Sequence, residues 1–194
     1  MTTSNIRAAQ ESERSRVIAA IVAGFIADPV ARWCWPDAES YLTNMGRFTN
    51  AYGGKAFRHG SAWTDSDFRG GALWLPPGEH PDERELHDIV AATLEERKQG
   101  LLLAALEECG SYHPDEPHWF LPLIAVDPSC QGKGIGSRLM EQAVAQCDAT
   151  STRAYLESSN PRNIPLYERH GFRVVGEVRH GDCPVFTPML RDPQ

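Results

Sequence analysis

The most constraining feature of this chain is an apolar strand that leads into a glycine-rich turn and then into a helix. The strand is predicted over 118–126, three glycines follow at alternate positions within 131–136, and apolar spacing marks a helix over 136–147. The first N–H groups of a helix have no partners within it, and the helix dipole adds partial positive charge there. Glycine also lets the backbone approach a ligand closely. The segment therefore predicts a site for a phosphate or pyrophosphate group, held by main-chain donors.

The order of the residues in this turn distinguishes between the known phosphate-binding loops. A Walker loop needs Gly-Lys followed by Ser or Thr, whereas Lys133 is followed by Gly134. The dinucleotide fingerprint G-x-G-x-x-G does not fit either, because Gly132, Gly134 and Gly136 are spaced differently. The pattern that fits is Q/R-x-x-G-x-G/A, from Gln131 to Gly136. This passage resembles the pyrophosphate loop of the GNAT superfamily of N-acetyltransferases.

A second block of sequence is similar to the same superfamily. Asn160 is followed seven residues later by Tyr167, and then by Gly171-Phe172. With the Glu-Pro pair before the strand, the segment 117–172 resembles enzymes of the puromycin N-acetyltransferase type. The resemblance implies a GNAT acyl-CoA N-acyltransferase fold, which is an α/β fold with a central mixed β-sheet flanked by helices.

Hydrophobic spacing over the rest of the chain predicts one domain over 1–194, of which 117–172 is the acetyl-CoA-binding core by resemblance. Residues 1–16 are polar and are expected to be flexible, and the order β-α-β-α-β-β in the second half predicts mixed strand directions. The 33–36 cluster and the 76–81 segment are expected to be irregular. The other predicted helices are 17–27, 40–58, 164–170 and two around 86–94 and 101–106, and the other predicted strands are 61–64, 71–75, 154–158, 172–178 and 185–190.

The resemblance also implies roles for individual residues. Tyr167 is the expected general acid, which protonates the leaving thiolate, and Glu157 is the expected general base, directly or through water. An N–H near the end of the 118–126 strand is the expected oxyanion donor. The expected contacts to acetyl-CoA are Ile124, Ala125, Val126, Gln131, Gly132, Lys133, Gly134, Ile135, Gly136, Ser137, Asn160, Asn163 and Tyr167.

Several of these residues also have a structural interpretation. Tyr167 could be a half-buried aromatic side chain between helix and sheet, and Glu157 could pair with Arg162. Asn163 could cap the helix that follows it. Three basic side chains could meet the phosphates of the coenzyme, although each alone is more often a solvated surface charge: Lys133, Arg138 and Arg162.

Charge and composition exclude several classes of partner. The chain has 19 Lys and Arg against 26 Asp and Glu, a net charge of −7 at pH 7, and this disfavours nucleic acid because binding to its backbone needs surplus positive charge. The longest apolar run, 17–27, is too short to cross a bilayer. Five cysteines without a C-x-x-C pair indicate reduced thiols and a cytoplasmic location. The histidines are scattered without metal-ligand spacing, so no metal is expected.

The expected activity is acetyl-CoA-dependent acetylation of the primary amine of a small molecule, an antibiotic or a metabolite. Direct attack in a ternary complex is expected, because Cys130 flanks the pyrophosphate loop and lies too far from the thioester to carry the acetyl group. Two alternatives stay open: acetylation of a protein N-terminus or lysine, and a coenzyme-A-binding regulator without catalysis. The acceptor pocket is expected from 28–45, 76–85 and the residues after Arg179. The protein is expected to be a monomer or a homodimer, with no membrane partner.

Overall fold

A mixed seven-stranded sheet runs through the computed structural model, which describes residues 5–194. The strands are β1 (Ile6–Ala8), β2 (Ala62–Asp65), β3 (Gly70–Leu75), β4 (Trp119–Val126), β5 (Ala154–Ser158), β6 (Arg173–Val174) and β7 (Thr187–Arg191). Their order across the sheet is β1-β2-β3-β4-β5-β7-β6. Only β4 and β5 run parallel, and the other neighbours are antiparallel. This arrangement confirms the predicted α/β fold with a mixed central sheet.

Helices cover both faces of this sheet. They are α1 (Arg14–Gly24), α2 (Pro29–Cys34), α3 (Ala38–Gly53), α4 (Glu83–Thr93), α5 (Glu96–Gly110), α6 (Ile135–Ala149) and α7 (Ile164–Arg169). Short 3-10 turns occupy Glu11–Glu13, Gly54–Phe57, Pro128–Cys130 and Pro161–Asn163. One apolar core joins α1 to α5 to the first face of the sheet, and a second core joins α6 and α7 to the other face. Within 5–194, none of the helices has the length and hydrophobicity needed to span a bilayer.

The middle of β4 contains an irregularity that matters for the site. Leu123 faces Leu73 of β3, but the next pair is Phe120 with Leu75, so β4 carries one more residue than β3 over this stretch. The extra residue falls beside Pro122, which has no N–H to donate to a ladder. A bulge of this kind bends a strand and interrupts its pairing.

The sequence predicts flexibility over 1–16, whereas the structure has regular elements within 5–16. Ile6–Ala8 forms β1, which pairs with β2 at the edge of the sheet. Arg7 and Glu13 form an ion pair at 2.7 Å, which links β1 to the turn before α1. A three-residue edge strand buries little side-chain surface, so its polar composition resembles that of a loop. Residues 1–4 lie outside the described part of the chain.

Two further predictions of secondary structure are wrong. Residues 33–36 do not form an irregular cluster throughout, because Pro29–Cys34 is a helix with Pro29 in its first turn, the position that proline tolerates best. The predicted strand 172–178 shortens to β6 and an isolated bridge between Val178 and Phe186. The backbone opposite Val175 is that of Pro188, which accepts a hydrogen bond but cannot return one.

Candidate active site

The two parallel strands in the middle of the sheet separate before they end. β4 and β5 pair only from Trp119 to Leu121 on the β4 side, although β4 continues to Val126 and β5 to Ser158. On its other side, β4 stays paired with β3 as far as Val126. The edge of β4 over 122–126 that faces β5 is therefore free of strand pairing. This edge contains Ile124, Ala125 and Val126, whose backbone was expected to contact acetyl-CoA.

Side chains fix the turn that follows β4. Asp127 accepts hydrogen bonds from the backbone N–H and the hydroxyl of Ser129, at 2.8 and 2.6 Å. These bonds lower the pKa of the Asp127 carboxyl. The side-chain amide of Gln131 donates to the carbonyl of Val126 at 3.1 Å. The side chain of Gln131 thus links the turn to the end of β4.

The glycines leave the backbone N–H groups of this turn available. Gly132 and Gly134 have φ angles of 73° and 74°, in the left-handed region that favours glycine. Gly134 is the N-cap of α6, and no side chain caps this end of the helix. Within the part of the chain that the structure describes, the backbone N–H groups of 132–137 have no hydrogen-bond partner. Such an exposed row of donors at a helix N-terminus fits the pyrophosphate of acetyl-CoA.

Gly136 adds an independent observation about this turn. A Cβ built at Gly136 would meet Leu166 at 3.6 Å and Val126 at 3.7 Å, which are ordinary van der Waals distances. Packing within the protein therefore does not require glycine at this position. Glycine here is instead suited to the close approach of a ligand to the helix N-terminus.

The polar side chains of the same turn mostly contact the protein itself. Lys133 donates to the carbonyl of Ser129 at 3.1 Å, and Arg138 donates to the carbonyl of Lys133 at 3.3 Å. The hydroxyl of Ser137 lies 2.9 Å from Nε2 of His170. Ile135, the first residue of α6, is buried in the core. The available binding groups of this turn are therefore its backbone N–H groups rather than its side chains.

The two asparagines after β5 have different surroundings. Asn160 caps the short turn that follows it, because its side-chain oxygen accepts from the backbone N–H of Arg162 at 3.1 Å. Asn163 stands at the N-cap position of α7 but makes no capping hydrogen bond. The capping interpretation is therefore wrong for Asn163, which is one of the residues that line a cavity.

This cavity has a volume of about 260 Å³ and opens between the separated strands. Most of its lining is aliphatic or aromatic, and its ionisable side chains are Asp28, Tyr52, Glu83, His87, Glu157 and Tyr167, with the thiol of Cys34. No lysine or arginine of the described chain lines it. Some of the lining residues fall in the segments predicted for the acceptor pocket: Asp28, Val30, Ala31, Cys34, Trp35, Met45, Glu83 and Phe186. The contribution of α5 was not predicted. The α5 residues are Leu102, Leu103 and Leu106.

Glu157 is a largely buried carboxylate with two polar neighbours. Its side chain is only 7% exposed and lies 3.4 Å from Nε2 of His113, measured from Oε1. The hydroxyl of Tyr52 donates to Oε2 at 3.0 Å. Burial and the Glu157 carboxylate both raise the pKa of Tyr52, so this hydroxyl stays a donor. The proposed pairing of Glu157 with Arg162 does not occur, since Arg162 is exposed and these other groups surround the carboxylate.

Asp28 is a second buried carboxylate at the cavity, and the sequence analysis missed it. One oxygen accepts from the backbone N–H groups of Val30 and Ala31, each at 3.0 Å, and the other accepts from the hydroxyl of Ser159 at 2.7 Å. Burial raises the pKa of Asp28, although these hydrogen bonds oppose the shift. The Asp-Pro pair is a signal for the start of a helix. It gave no indication that this cap also lies beside β5.

Tyr167 brings a phenol to the same cavity from α7. Its side chain is buried and packs against Phe172, so the structural interpretation holds for the ring. Its hydroxyl has no hydrogen-bond partner among residues 5–194. Burial, followed by the nearby charge of Asp28, raises the pKa of Tyr167 well above its ordinary value. The phenol is therefore protonated at physiological pH and can donate a proton.

The sequence analysis also made predictions about the cysteines and about metal binding. Of the five cysteines, Cys34 lines the cavity. All five cysteines are free thiols. Cys130 is partly exposed on the turn after β4, with its sulfur 3.5 Å from the Ser129 hydroxyl. No cluster of three or more His, Cys, Asp or Glu side chains arranged to hold a metal ion occurs in the described part of the chain.

Comparisons with known proteins agree with this geometry. The model of the Acetyltransferase (GNAT) family matches residues 26–172. An uncharacterized N-acetyltransferase of Schizosaccharomyces pombe is 26% identical over 95% of this chain and 82% of its own length. Arylalkylamine N-acetyltransferase 2 from Aedes aegypti matches with a TM-score of 0.72 at 13% identity, covering 100% of both chains. A structure from Corynebacterium glutamicum, titled histone acetyltransferase HPA2 and related acetyltransferase, has a TM-score of 0.70 at 22% identity, covering 100% of this chain and 98% of its own.

Proposed function

Because this chain belongs to the GNAT family of acetyltransferases, we propose that it transfers the acetyl group of acetyl-CoA to the primary amine of a small molecule with a largely apolar body. The observation that carries this proposal is the cavity between the separated strands. Leu121 of β4 and Leu156 of β5, the last paired residues, line it together with Glu157 and Tyr167. A carboxylate and a phenol, which we propose as general base and proton donor, thus line this cavity.

The lining of the cavity supports an apolar amine as acceptor. Aromatic and aliphatic walls favour an apolar body, since burial of apolar surface drives binding. Asp28 and Glu157 attract an ammonium group, and among the described residues no lysine or arginine lines the cavity to pair with an acceptor carboxylate. The names of the two structural neighbours point to different acceptors, an arylalkylamine and a histone. The small volume and apolar lining of the cavity favour a small amine over a protein.

The proposed contacts to acetyl-CoA follow the free backbone donors. The N–H groups of 132–137 bind the pyrophosphate, and the unpaired edge of β4 over 124–126 binds the pantetheine arm. Asn163, which lines the cavity, adds a polar residue to these contacts. Gln131, Lys133 and Asn160 act through the conformation of their turns, which their side chains hold. Acetyl-CoA, when bound, supplies an activated acyl carbon to this arrangement.

The proposed chemistry assigns one proton transfer to each end of the reaction. An alkylamine has a pKa of about 10.4 and must lose a proton before it attacks. Glu157 takes this proton, while the Tyr52 hydroxyl holds the carboxylate in place. Tyr167 donates a proton to the departing thiolate. A backbone N–H on the unpaired edge of β4 stabilises the developing oxyanion.

The test is a measurement of thiol release from acetyl-CoA with a matched panel of amines. We expect 2-phenylethylamine to give a kcat/KM at least about tenfold above that of phenylalanine, which has the same body and an added carboxylate. A polyamine and a peptide with a free N-terminus complete the panel. Turnover with the peptide alone would contradict the small-molecule assignment. Tight acetyl-CoA binding in calorimetry without any turnover would support a regulator instead.

A further inference from the structure

A chain of short contacts runs from the cavity toward the surface through two histidines that the proposed function has not used. Nε2 of His113 lies 3.4 Å from Oε1 of Glu157. Nδ1 of His113 lies 2.9 Å from Nε2 of His118, and Nδ1 of His118 lies 2.9 Å from the backbone carbonyl of Glu116. We infer that His118 fixes the tautomer of His113, so that an unprotonated nitrogen faces Glu157 and accepts the proton that Glu157 removes from the acceptor amine. This inference rests on the proposed function.

The carbonyl at the end of the chain sets the direction of every hydrogen bond in it. A carbonyl oxygen only accepts, so Nδ1 of His118 must carry a proton and donate it to Glu116. In neutral His118 the other nitrogen, Nε2, is then an acceptor. Nδ1 of His113 must therefore donate to it, which leaves Nε2 of neutral His113 without a proton. His118 and the Glu116 carbonyl thus select one of the two tautomers of His113.

The selected tautomer leaves room for one proton between His113 and Glu157. An ionised carboxylate and a bare imidazole nitrogen are both acceptors, so they make no hydrogen bond to each other. A proton taken by Glu157 from the substrate ammonium creates that bond. It can then move from Oε1 of Glu157 to Nε2 of His113, which leaves a carboxylate and an imidazolium. The imidazolium gives the proton to water, and the net change is the loss of one proton from the amine.

Packing and exposure suit His113 for this step. Its ring lies against Tyr155 and Phe120, with centroid distances of 4.0 and 5.1 Å, so its orientation is held by aromatic contacts. Its side chain is 29% exposed, against 7% for Glu157. Protons can therefore reach water from His113 more readily than from the buried carboxylate.

The other titratable groups around Glu157 do not compete for this role. Tyr52 of α3 donates its hydroxyl to the carboxylate. Tyr155 of β5 donates to the backbone carbonyl of Cys109 at 2.9 Å. Burial raises the pKa of both phenols and of the Cys109 thiol of α5, with Glu157 contributing to each shift. All three groups stay protonated near neutral pH, so His113 is the proton acceptor that faces the carboxylate.

The first experiment reads the tautomers directly and does not depend on catalysis. Side-chain ¹⁵N NMR of the intact protein, at a pH where both imidazoles are neutral, should find the Nδ1–H form of His113 and His118. His118→Asn keeps a donor for the Glu116 carbonyl but removes the acceptor for His113. We expect this variant to shift His113 toward the Nε2–H form. An Nε2–H form of His113 in the unaltered protein would overturn the inference.

The second experiment measures the role of His113 in turnover. His113→Gln keeps an amide donor near Glu157 but has no basic nitrogen that can accept a proton from Glu157 and pass it to water, so kcat at pH 7 should fall about 10- to 100-fold. The KM for acetyl-CoA should change less than twofold, and added imidazole should restore part of the rate of His113→Ala. His59→Gln, which alters an imidazole that contacts Glu79, is the matched control. An unchanged kcat in folded His113→Gln would overturn the inference, whereas absence of turnover in the unaltered protein would count against the proposed function and leave the NMR result decisive.

Discussion

Of the three carboxylates that line the cavity, Asp28 and Glu157 have buried side chains in different surroundings, and this difference separates their roles. Asp28 is bound by two backbone N–H groups and a hydroxyl, and burial still raises its pKa. Glu157 accepts a hydrogen bond from the hydroxyl of Tyr52 and lies beside the imidazole of His113, a group that can take up or release a proton. Carboxylates in unlike environments commonly divide acid–base work between them. We therefore assign proton removal to Glu157 and attraction of the ammonium group to Asp28.

Asp28→Asn should make the protein more stable at neutral pH. A carboxyl whose pKa is raised by folding contributes stability below its unfolded pKa, and that contribution is lost as the pH rises through the folded value. Asparagine keeps the acceptor for Val30 and Ala31 without a charge. Urea denaturation between pH 4 and pH 8 should show the variant gaining on the unaltered protein as the pH rises. A constant difference across this range would contradict the prediction.

The same variant should bind the amine less well. Loss of the buried negative charge removes an attraction for the ammonium group, and we expect the KM for 2-phenylethylamine to rise about tenfold, which corresponds to about 1.4 kcal/mol. The KM for acetyl-CoA should not change, because the pyrophosphate is proposed to bind at the α6 N-terminus. Steady-state kinetics with each substrate varied in turn measures both quantities. A change in the KM for acetyl-CoA alone would contradict the prediction, because it would mean that Asp28 affects binding of the coenzyme and not of the amine.

Tyr167→Phe should lower kcat about 100-fold without unfolding the protein. The substitution removes a hydroxyl that has no partner within the described chain, so stability should change little, whereas the departing thiolate loses its proton donor. Tyr41→Phe is the matched control, because its hydroxyl donates to the carbonyl of Val22 outside the cavity. The control should lose about 1 kcal/mol of stability and keep its activity. Equal kcat values for the two variants would contradict the role of Tyr167 as proton donor.

At the scale of elements, the strand, turn and helix over 118–149 could be predicted because their signals are local. Glycine spacing, the Asp-Pro turn and the apolar stripe of α6 all lie within this stretch, and the structure bears each of them out. The surroundings of Glu157 could not be predicted in this way. Tyr52 lies 105 residues away in sequence, and nothing in α3 marks it as a partner of β5. Contacts between remote elements depend on tertiary packing, which a single sequence does not reveal.

The N-terminus of α6 permits a test that separates ligand binding from folding. Gly136→Ala places a methyl group at ordinary distance from Leu166 and Val126, and alanine favours a helix over glycine by up to about 1 kcal/mol. Stability should therefore be kept or increased, while the acetyl-CoA dissociation constant rises about tenfold because the methyl group meets the pyrophosphate. Gly46→Ala, where a Cβ has nothing within 4 Å, is the control that should leave binding unchanged. Calorimetry and urea denaturation measure the two effects, and unchanged acetyl-CoA affinity in Gly136→Ala would contradict the proposed loop.

At the scale of the whole molecule, a net charge of −7 acts oppositely on the two substrates. The field of an acidic protein attracts a cationic amine and repels an anionic coenzyme at long range. Binding of the coenzyme must therefore depend on local donors, and the free N–H groups of α6 and its preceding turn are suited to this. The cavity has the same asymmetry, because three carboxylates line it and no lysine or arginine of the described residues does.

This asymmetry predicts the response to salt. Raising NaCl from 0.1 to 1 M shortens the screening length from about 10 to about 3 Å, so kcat/KM for cationic 2-phenylethylamine should fall about threefold as long-range attraction is lost. The neutral isostere 2-phenylethanol should act as a competitive inhibitor whose inhibition constant stays constant or decreases, because salt does not weaken apolar burial. Parallel losses for both molecules would mean that salt disturbs the cavity itself. An unchanged kcat/KM for the amine would show that its capture depends only on contacts inside the cavity, with Asp28 and Glu157 shielded from the surrounding solution.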